Sequence, residues 1–367
     1  MDYDAIIVGA RIAGASLAAL LGMRGWRILL LDKATFPSDT LSTHFFRAPA
    51  LRVFAQIGVL DKVAAAAPPM KVLWNYIDGN VISDPVQTDD ERFNYFLCVR
   101  RITLDAILIE RVTREISIEL RQSAHVNDLI KREGRVAGVR WTEAGKQREA
   151  TSRVVIGADG FYSKVVNAVQ PEIETQYPVQ RCMYYTYSRG IEPLDGPAAE
   201  HHFVGDSLTY VFPTDNDLTL VALSLPISEF SEIKKEPQKK LLAHLHSLPK
   251  LLPRLNRAEV VTEVKGAGNI PGYQRFPYGP GWVLVGDAQQ VMDPWSGMGI
   301  DHATTHAGFL ADALNRWLKE ESDWQTAMTT YHQQARAWSE KSYRRTCTYA
   351  ADLRPMTKAA LQKKGLV

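Results

Sequence analysis

The chain has 367 residues, of which 46% are hydrophobic and 23% are charged, and its formal net charge is +2. This length and apolar content predict a globular protein with a large core and room for two domains. Basic and acidic residues are interspersed without a dense basic stripe, so nucleic acid is not an expected partner.

The most apolar stretch lies near the N-terminus, from Ala5 to Met23. Asp2 and Asp4 precede it where a signal peptide needs positive charge, and Arg11 interrupts it. We therefore interpret it as a core strand and helix and expect no integral membrane segment. The three cysteines lack C-x-x-C spacing, which argues against a metal site and favours a reducing, cytoplasmic location.

The first predicted elements are a strand from Asp4 to Val8, a glycine turn (Gly9-Ala10-Arg11-Ile12-Ala13-Gly14), a helix to about Arg24 and a strand ending at Asp32. This order is typical of dinucleotide binding, in which the helix N-terminus binds a pyrophosphate and the acid binds a ribose. Arg11 replaces the usual second glycine, so we expect it to shift the pyrophosphate or to contact it. A strand-turn-helix unit without nucleotide is the alternative for this motif alone.

The next part of the chain predicts a helix from Leu51 to Ala67, then an extended hairpin between Met70 and Val99. An amphipathic helix follows from Thr103 to Glu115. Several strands come after it, namely 117–120, 126–132, 136–142 and 154–156.

The middle of the chain predicts a mostly antiparallel sheet, with strands at 183–187, 208–212 and 218–225 and a helix near 237–246. Two strands of this sheet carry rows of large side chains on one face, which are Met183, Tyr185 and Tyr187 on one strand and Tyr210 and Phe212 on another. These rows could line a substrate pocket, but packing in the core is the commoner role of such rows. A buried strand at 282–285, a helix at 299–320 and a terminal helix at 324–350 follow, and we expect the basic tail beyond Pro355 to be loose.

Two further motifs complete the pattern of the first glycine turn. Gly286-Asp287 follows a buried strand, where a carboxylate can accept hydrogen bonds from a polyhydroxyl ribityl chain. The loop after it ends in Gly299-Ile300, whose N–H groups can face the N1 and C2 carbonyl of a flavin. Together with Gly157-Ala158-Asp159-Gly160, these segments describe one elongated dinucleotide, FAD.

These motifs, in this order, resemble the FAD-dependent oxidoreductases of the para-hydroxybenzoate-hydroxylase type, which include geranylgeranyl-reductase-like and flavin-halogenase-like branches. The resemblance covers residues 1–345, and its D-G motif at Asp159-Gly160 is expected to contact the pyrophosphate region. The cofactor-binding residues that it implies are Gly9, Arg11, Ala13, Gly14, Asp32, Lys33, Arg101, Val126, Asp159, Gly160, Asp287, Pro294, Gly297, Gly299 and Ile300. For Arg101 the alternative is a solvated arginine in a first helical turn.

The resemblance implies an α/β fold, with a Rossmann-like FAD-binding domain, an inserted, mostly antiparallel β-sheet substrate domain and a C-terminal helix. We place the FAD-binding domain at 1–68, 99–176 and 269–330, and the substrate domain at 69–98 and 177–268. Residues 331–367 form the C-terminal helical segment.

Some residues near the expected flavin depart from the family pattern. Asp301 replaces a common asparagine and should oppose an anionic reduced flavin unless it caps the helix. Gln289-Gln290 replaces alanine and histidine. His44, in the segment 38–44, is the candidate catalytic proton carrier, with a loop-bound histidine as the alternative. His302 and His306 have metal-ligand spacing but no H-E-x-x-H motif, so we take them as packing or surface residues.

The resemblance implies a monooxygenase that uses NAD(P)H, as a transient electron donor, and O2 to oxygenate an apolar or aromatic small molecule through a flavin C4a-peroxide. The first alternative is a reductase or dehydrogenase of an isoprenoid-like or other small molecule. The second is a non-catalytic FAD-binding protein. The Trp-x-Trp-x-Ile-Pro segment of flavin halogenases is absent, which disfavours halogenation.

Overall fold

The computed structural model describes residues 1–42 and 44–366. Thr43, in the predicted loop 38–44, and Val367, in the predicted C-terminal segment, lie outside the described residues. The helices are α1 (Ile12–Gly22), α2 (Ala48–Gln56), α3 (Leu60–Ala66), α4 (Arg101–Thr113), α5 (Lys164–Val169), α6 (Phe230–Ile233), α7 (Pro237–His246), α8 (Gly299–Leu318), α9 (Trp324–Ala350) and α10 (Arg354–Lys363).

The strands fall into two large sheets and two small ones. They are β1 (Tyr3–Val8), β2 (Ile28–Leu31), β3 (Phe45–Phe46), β4 (Val72–Ile77), β5 (Asn80–Pro85), β6 (Leu97–Cys98), β7 (Ile118–Arg121), β8 (His125–Arg132), β9 (Arg135–Glu143), β10 (Lys146–Gly157), β11 (Ile173–Tyr177), β12 (Arg181–Arg189), β13 (Ala199–Val204), β14 (Ser207–Pro213), β15 (Thr219–Pro226), β16 (Glu259–Val260), β17 (Lys265–Ala267), β18 (Gly272–Arg275), β19 (Tyr278–Gly279), β20 (Trp282–Leu284) and β21 (Gln290–Val291).

The first large sheet has a parallel centre, with strand order β19-β20-β10-β1-β2-β7. β20, β10, β1, β2 and β7 run parallel, and β19 closes the edge antiparallel to β20. The central strands are continuous apolar runs because both faces are covered, with helices α1, α4 and α8 contributing to the core on one side. Their carboxyl ends meet at one edge, which is the usual ligand edge of such a sheet.

The second large sheet has the order β16-β12-β15-β14-β13-β4-β5 and is antiparallel except between β13 and β4. Helices α6 and α7 contribute to the apolar clusters on one of its faces. The other face holds an aromatic core that includes Tyr185, Tyr187, Tyr210 and Phe212. The α/β fold with an inserted, mostly antiparallel sheet is therefore confirmed, whereas the exact domain boundaries stay a prediction.

Two predictions of local structure are wrong. The single helix from Leu51 to Ala67 is two helices, α2 and α3, because the chain turns at Gly58 with a φ of +74° that only glycine adopts without strain. The tail beyond Pro355 forms α10, because Thr357 and Leu361 are buried by packing. None of the described helices is long and apolar enough to cross a membrane.

Candidate cofactor and substrate site

A large cavity lies at the carboxyl edge of the first sheet and has a volume of about 950 Å³. Every predicted cofactor-binding residue except Gly14 lines it; these are Gly9, Arg11, Ala13, Asp32, Lys33, Arg101, Val126, Asp159, Gly160, Asp287, Pro294, Gly297, Gly299 and Ile300. The structure thus brings together residues that lie up to 291 positions apart along the chain, from Gly9 to Ile300. Their contact with FAD itself stays a prediction.

The glycine turn packs against the residue that follows β10 and has no room for a side chain at Gly9 or Gly14. Gly9 has a φ of +103°, and a Cβ there would lie 2.6 Å from the carbonyl carbon of Ala158. A Cβ on Gly14 would lie 3.0 Å from the carbonyl carbon of Gly9, so Gly14 shapes the turn from inside the helix without lining the cavity. The first turn of α1 has no side-chain cap and no acidic residue, which leaves its N–H groups open to an anion.

Asp32 holds the loops on either side of the nucleotide-binding edge. Its Oδ2 accepts a hydrogen bond from the backbone N–H of Ala10 at 2.7 Å, and its Oδ1 accepts one from Ala34 at 2.7 Å. A carboxylate has further acceptor sites on both oxygens, and Asp32 lines the cavity. It can therefore accept the hydroxyl groups of a ribose without giving up its structural bonds.

Arg11 and Arg101 share one buried carboxylate. Arg11 Nη1 lies 2.5 Å from Asp105 Oδ2, and Arg101 Nε lies 3.0 Å from Asp105 Oδ1. Arg11 also donates to Ser38 Oγ at 2.7 Å and so holds a loop whose next residues line the cavity. Two guanidinium groups against one carboxylate leave a net positive charge beside the α1 N-terminus, which suits a pyrophosphate. The solvated alternative for Arg101 is wrong, because its side chain is only 11% exposed.

Asp159 uses its carboxylate within the protein. It accepts hydrogen bonds from Ser163 Oγ at 2.5 Å and from the backbone N–H of Lys164 at 2.6 Å, at the start of α5. Burial raises the pKa of Asp159, and these hydrogen bonds oppose the shift. Asp159 and Gly160 line the cavity, and their contact with a pyrophosphate stays a prediction.

Asp287 is placed differently from Asp32, since it is exposed to the cavity and its carboxylate accepts no hydrogen bond from the described residues. The surrounding protein raises the pKa of Asp287 by desolvation, and the positive charge of Arg101 opposes that shift. A carboxylate with all its acceptor sites free fits the hydroxyl groups of a ribityl chain.

The loop before α8 is fixed by contacts with distant elements. Trp295 donates from Nε1 to the carbonyl oxygen of Thr346 at 2.8 Å, and its own carbonyl oxygen accepts from Tyr210 Oη at 2.5 Å. Gly297 has a φ of +62°, which directs the chain into α8. Gly299 and Ile300 in the first turn of α8 line the cavity, and no side chain caps this turn, so its N–H groups are available to a flavin.

Arg47 is a site residue that the sequence did not indicate. Its Nη1 and its backbone N–H each donate to the fully buried carboxylate of Asp301 at 2.9 Å. Its guanidinium also donates to the carbonyl oxygens of Ser296 at 3.0 Å and Gly297 at 3.1 Å. Burial raises the pKa of Asp301, and Arg47 opposes that shift. The carboxylate that was expected to oppose a reduced flavin is thus paired with a cation.

His302 and His306 are both buried and line the cavity. Gln290 Nε2 donates to His302 Nδ1 at 2.7 Å, and His302 Nε2 lies 3.2 Å from Ser342 Oγ. Burial lowers the pKa of His306 to about 4. Of the two predicted roles for these histidines, packing is confirmed and a position on the protein surface is wrong. The hydrogen bond from Gln290 orients the ring of His302.

His44 lies outside the cavity wall and is fully buried. Its Nδ1 donates to the carbonyl oxygen of Ser42 at 2.6 Å, so its Nε2 accepts from Tyr187 Oη at 2.6 Å. Burial lowers the pKa of His44 to about 4, so the ring is neutral near pH 7. The structure gives it a loop-holding role, and proton transfer by His44 stays a prediction.

This burial predicts a pH-dependent stability. The pKa of His44 is about 4 in the folded chain and 6.5 when unperturbed, so the unfolded chain binds more protons between these values. The free energy of unfolding should therefore fall as the pH is lowered through this window, by about 2–3 kcal/mol from His44 alone. We expect the free energy of unfolding, measured by urea denaturation, to fall less between pH 7 and pH 4 in His44→Asn than in wild type. The exposed His246→Asn is the control, and equal pH dependence in all three proteins would refute the assignment.

The aromatic rows of the second sheet mostly form core, as their sequence pattern favoured. Tyr185, Tyr187, Tyr210 and Phe212 are buried in its aromatic cluster, and none of them lines the cavity. Met183, on the same strand as the first two, does line it. The second sheet therefore contributes to the cavity wall through a methionine rather than through an aromatic row.

Comparison with known proteins gives one family over nearly the whole chain. The family model described as "FAD binding domain" matches residues 2–346. A 1H-pyrrole-2-carbonyl-[peptidyl-carrier protein] brominase from Pseudoalteromonas luteoviolacea is 24% identical over 92% of this chain and 82% of its own length. Digeranylgeranylglycerophospholipid reductase 2 from Methanopyrus kandleri is 26% identical over 95% of this chain and 85% of its own length.

Solved structures share the fold at low sequence identity. The myxobacterial chondrochloren halogenase CndH superposes with a TM-score of 0.85 at 24% identity, covering 93% of this chain and 81% of its own. PqsL, a probable FAD-dependent monooxygenase from Pseudomonas aeruginosa, superposes with a TM-score of 0.79 at 22% identity, covering 95% and 94%. At this identity the likeness establishes the fold.

Proposed function

We propose, on the premise that the chain belongs to the FAD-binding-domain family and is an FAD-dependent oxidoreductase, that it is a monooxygenase of an apolar or aromatic small molecule. The observation that carries the proposal is the cavity, which joins the cationic, glycine-lined nucleotide edge to an apolar wall. That wall includes Met183, Ile270, Met292 and Met298. A site of this kind can hold a cofactor and an apolar substrate together while it excludes water.

We assign the dinucleotide to the residues that face the nucleotide edge. The α1 N-terminus with Arg11 and Arg101 would hold the pyrophosphate, and Asp32 and Asp287 would hold the two sugar-like parts. When bound, FAD supplies electron transfer from a nicotinamide to O2, so that one oxygen atom enters the substrate and the other leaves as water. The N–H groups at the start of α8 would orient the ring and stabilise its negative charge.

The electron donor in this proposal is NAD(P)H. The sequence contains no second complete glycine fingerprint, so the nicotinamide would visit the site transiently rather than occupy a second Rossmann domain. A cytoplasmic location, where NAD(P)H is available, belongs to the same proposal.

A reductase is the second candidate, and the similarity to digeranylgeranylglycerophospholipid reductases favours it. An isoprenoid chain would also suit the apolar wall. In this case the site would accept electrons and transfer them to a carbon–carbon double bond without oxygen. The family membership leaves no support for the non-catalytic alternative.

The test is a turnover experiment with FAD-loaded protein and ¹⁸O2. The protein is first reduced with NADPH or NADH under argon and then mixed with ¹⁸O2 and a panel of phenols and indoles. We expect a product that carries one ¹⁸O atom. Recovery of all electrons as hydrogen peroxide, or oxygen derived from water, would contradict monooxygenation. Oxygen-independent saturation of geranylgeraniol would establish the reductase, and a brominated product with added bromide would establish halogenation.

A further inference from the structure

Asp293 differs from the other buried carboxylates of the described residues because it has no arginine partner and its carboxylate accepts only one hydrogen bond. Asp32 accepts hydrogen bonds from two backbone N–H groups. Each of the other buried carboxylates forms an ion pair with arginine: Asp105 with Arg11 and Arg101, Glu200 with Arg254, Asp215 with Arg100, and Asp301 with Arg47. Asp293 is 4% exposed, and its Oδ1 accepts one backbone N–H, from Trp295 at 3.0 Å. Its Oδ2 accepts no hydrogen bond from the described residues.

Among the described residues, the cation that affects Asp293 is already paired with other groups. Arg181 acts on Asp293 through its charge, but its guanidinium pairs with Asp206 at 2.9 Å and donates to Ser224 Oγ at 2.8 Å. Burial raises the pKa of Asp293 to about 6. A buried carboxylate with one hydrogen bond and no cation is costly unless a further donor reaches it.

Asp293 lines the cavity beside its apolar wall. Met292 and Pro294 flank it in the chain, and Met183 and Met298 line the same cavity. Methionine side chains fill irregular apolar space and adapt to different ligand shapes. The free carboxylate oxygen is therefore a polar acceptor at an otherwise apolar surface, which is the usual composition of a small-molecule site.

We propose that Asp293 is the anchoring residue of a substrate subsite that takes an apolar small molecule through an N–H or O–H donor. The donor hydrogen-bonds to Oδ2 while Oδ1 keeps its bond to the Trp295 N–H. The inference rests on the proposed function, because it names the substrate class of the same cavity. Hydrogen bonds to buried charged groups are among the strong ones, so the donor should raise affinity about tenfold or more.

The experiment compares two ring systems of the same shape, which are indole, with an N–H donor, and benzofuran, with an oxygen in its place. Each is titrated into FAD-loaded protein under air without NAD(P)H, and binding is measured by the change in flavin absorbance. We expect wild type to bind indole roughly tenfold or more tightly than benzofuran. Asp293→Asn keeps the acceptor for Trp295 but turns an NH2 group toward the cavity, so it should abolish or reverse this preference.

The control is Asp323→Asn, since Asp323 also caps a helix start, with Oδ1 2.9 Å from the Thr326 N–H, but lies outside the cavity wall. It should keep the wild-type preference. Equal affinities in wild type, a preference that survives in Asp293→Asn, or no binding of either ring would overturn the inference. Because no turnover is involved, the preference can hold where ¹⁸O insertion fails, and it can fail where insertion succeeds.

Discussion

Replacing Gly14 with alanine should weaken FAD binding by roughly 100-fold or more and lower the free energy of unfolding by about 2–3 kcal/mol. A Cβ at this position would fall on the carbonyl group of Gly9 and lie 3.2 Å from the Cβ of Ala158. Gly9 belongs to the turn that would hold the pyrophosphate, and Ala158 lies in the neighbouring segment that follows β10. A backbone carbonyl cannot move aside as a flexible side chain can. FAD titration of the apoprotein and urea denaturation measure the two effects.

The matched control is Gly308→Ala in helix α8. A Cβ there meets no atom within 4 Å, and the residue lies inside a helix. Alanine is favoured over glycine in a helix, so this variant should keep FAD binding and gain about 0.5–1 kcal/mol in unfolding free energy. Unchanged FAD affinity in Gly14→Ala would show that the turn is not the pyrophosphate site.

Replacing Arg47 with methionine should lower the free energy of unfolding by about 3–5 kcal/mol, because it leaves the carboxylate of Asp301 buried without a cation. The substitution also removes the donors to the carbonyl oxygens of Ser296 and Gly297 in the loop before α8. We therefore expect weaker FAD binding and a lower flavin reduction potential, since an uncompensated negative charge next to the cavity wall would disfavour reduction of a flavin bound there. Denaturation and potentiometric titration measure these effects.

A double substitution separates charge pairing from packing at this pair. Asp301→Asn removes the charge that Arg47 compensates, so Arg47→Met combined with Asp301→Asn should be more stable than Arg47→Met alone, by about 1–3 kcal/mol. The exposed pair of Arg114 and Glu110 provides the control, and Arg114→Met should change stability by at most about 0.5 kcal/mol. Additive effects of the two substitutions would refute the pairing argument.

The nucleotide edge could be predicted from sequence because its signals are local. A glycine turn between an apolar strand and a helix, and an acid at the end of the next strand, are set by spacing within about thirty residues. The bounds of α7 and α9 were likewise readable from periodicity and flanking residues. The cavity confirms that these segments converge, since Gly9, Asp32 and Asp287 all line it.

The partners of charged side chains could not be predicted, because they depend on tertiary contacts. Arg47 and Asp301 are 254 positions apart, and no local pattern links them. Arg11 is expected to shift or contact a pyrophosphate, but no local pattern indicated that its guanidinium also pairs with Asp105 on helix α4. The unpaired state of Asp293 is visible only when the surroundings of every buried acid are compared. Ion pairs within one helix, such as that of Arg101 and Asp105, do carry a sequence signal, because their residues have i, i+4 spacing.

The most direct test of the cofactor assignment compares wild type with Asp287→Ala. The apoprotein of each is titrated with FAD, and the stability of each is measured by urea denaturation. The carboxylate of Asp287 accepts no hydrogen bond from the described residues, so removing it should leave the apoprotein as stable as wild type or more so. We expect wild type to bind one FAD per chain and the variant to bind FAD roughly tenfold or more weakly. Equal FAD affinity in the two proteins, or no uptake of FAD by wild type, would contradict the assignment of this cavity to the flavin cofactor.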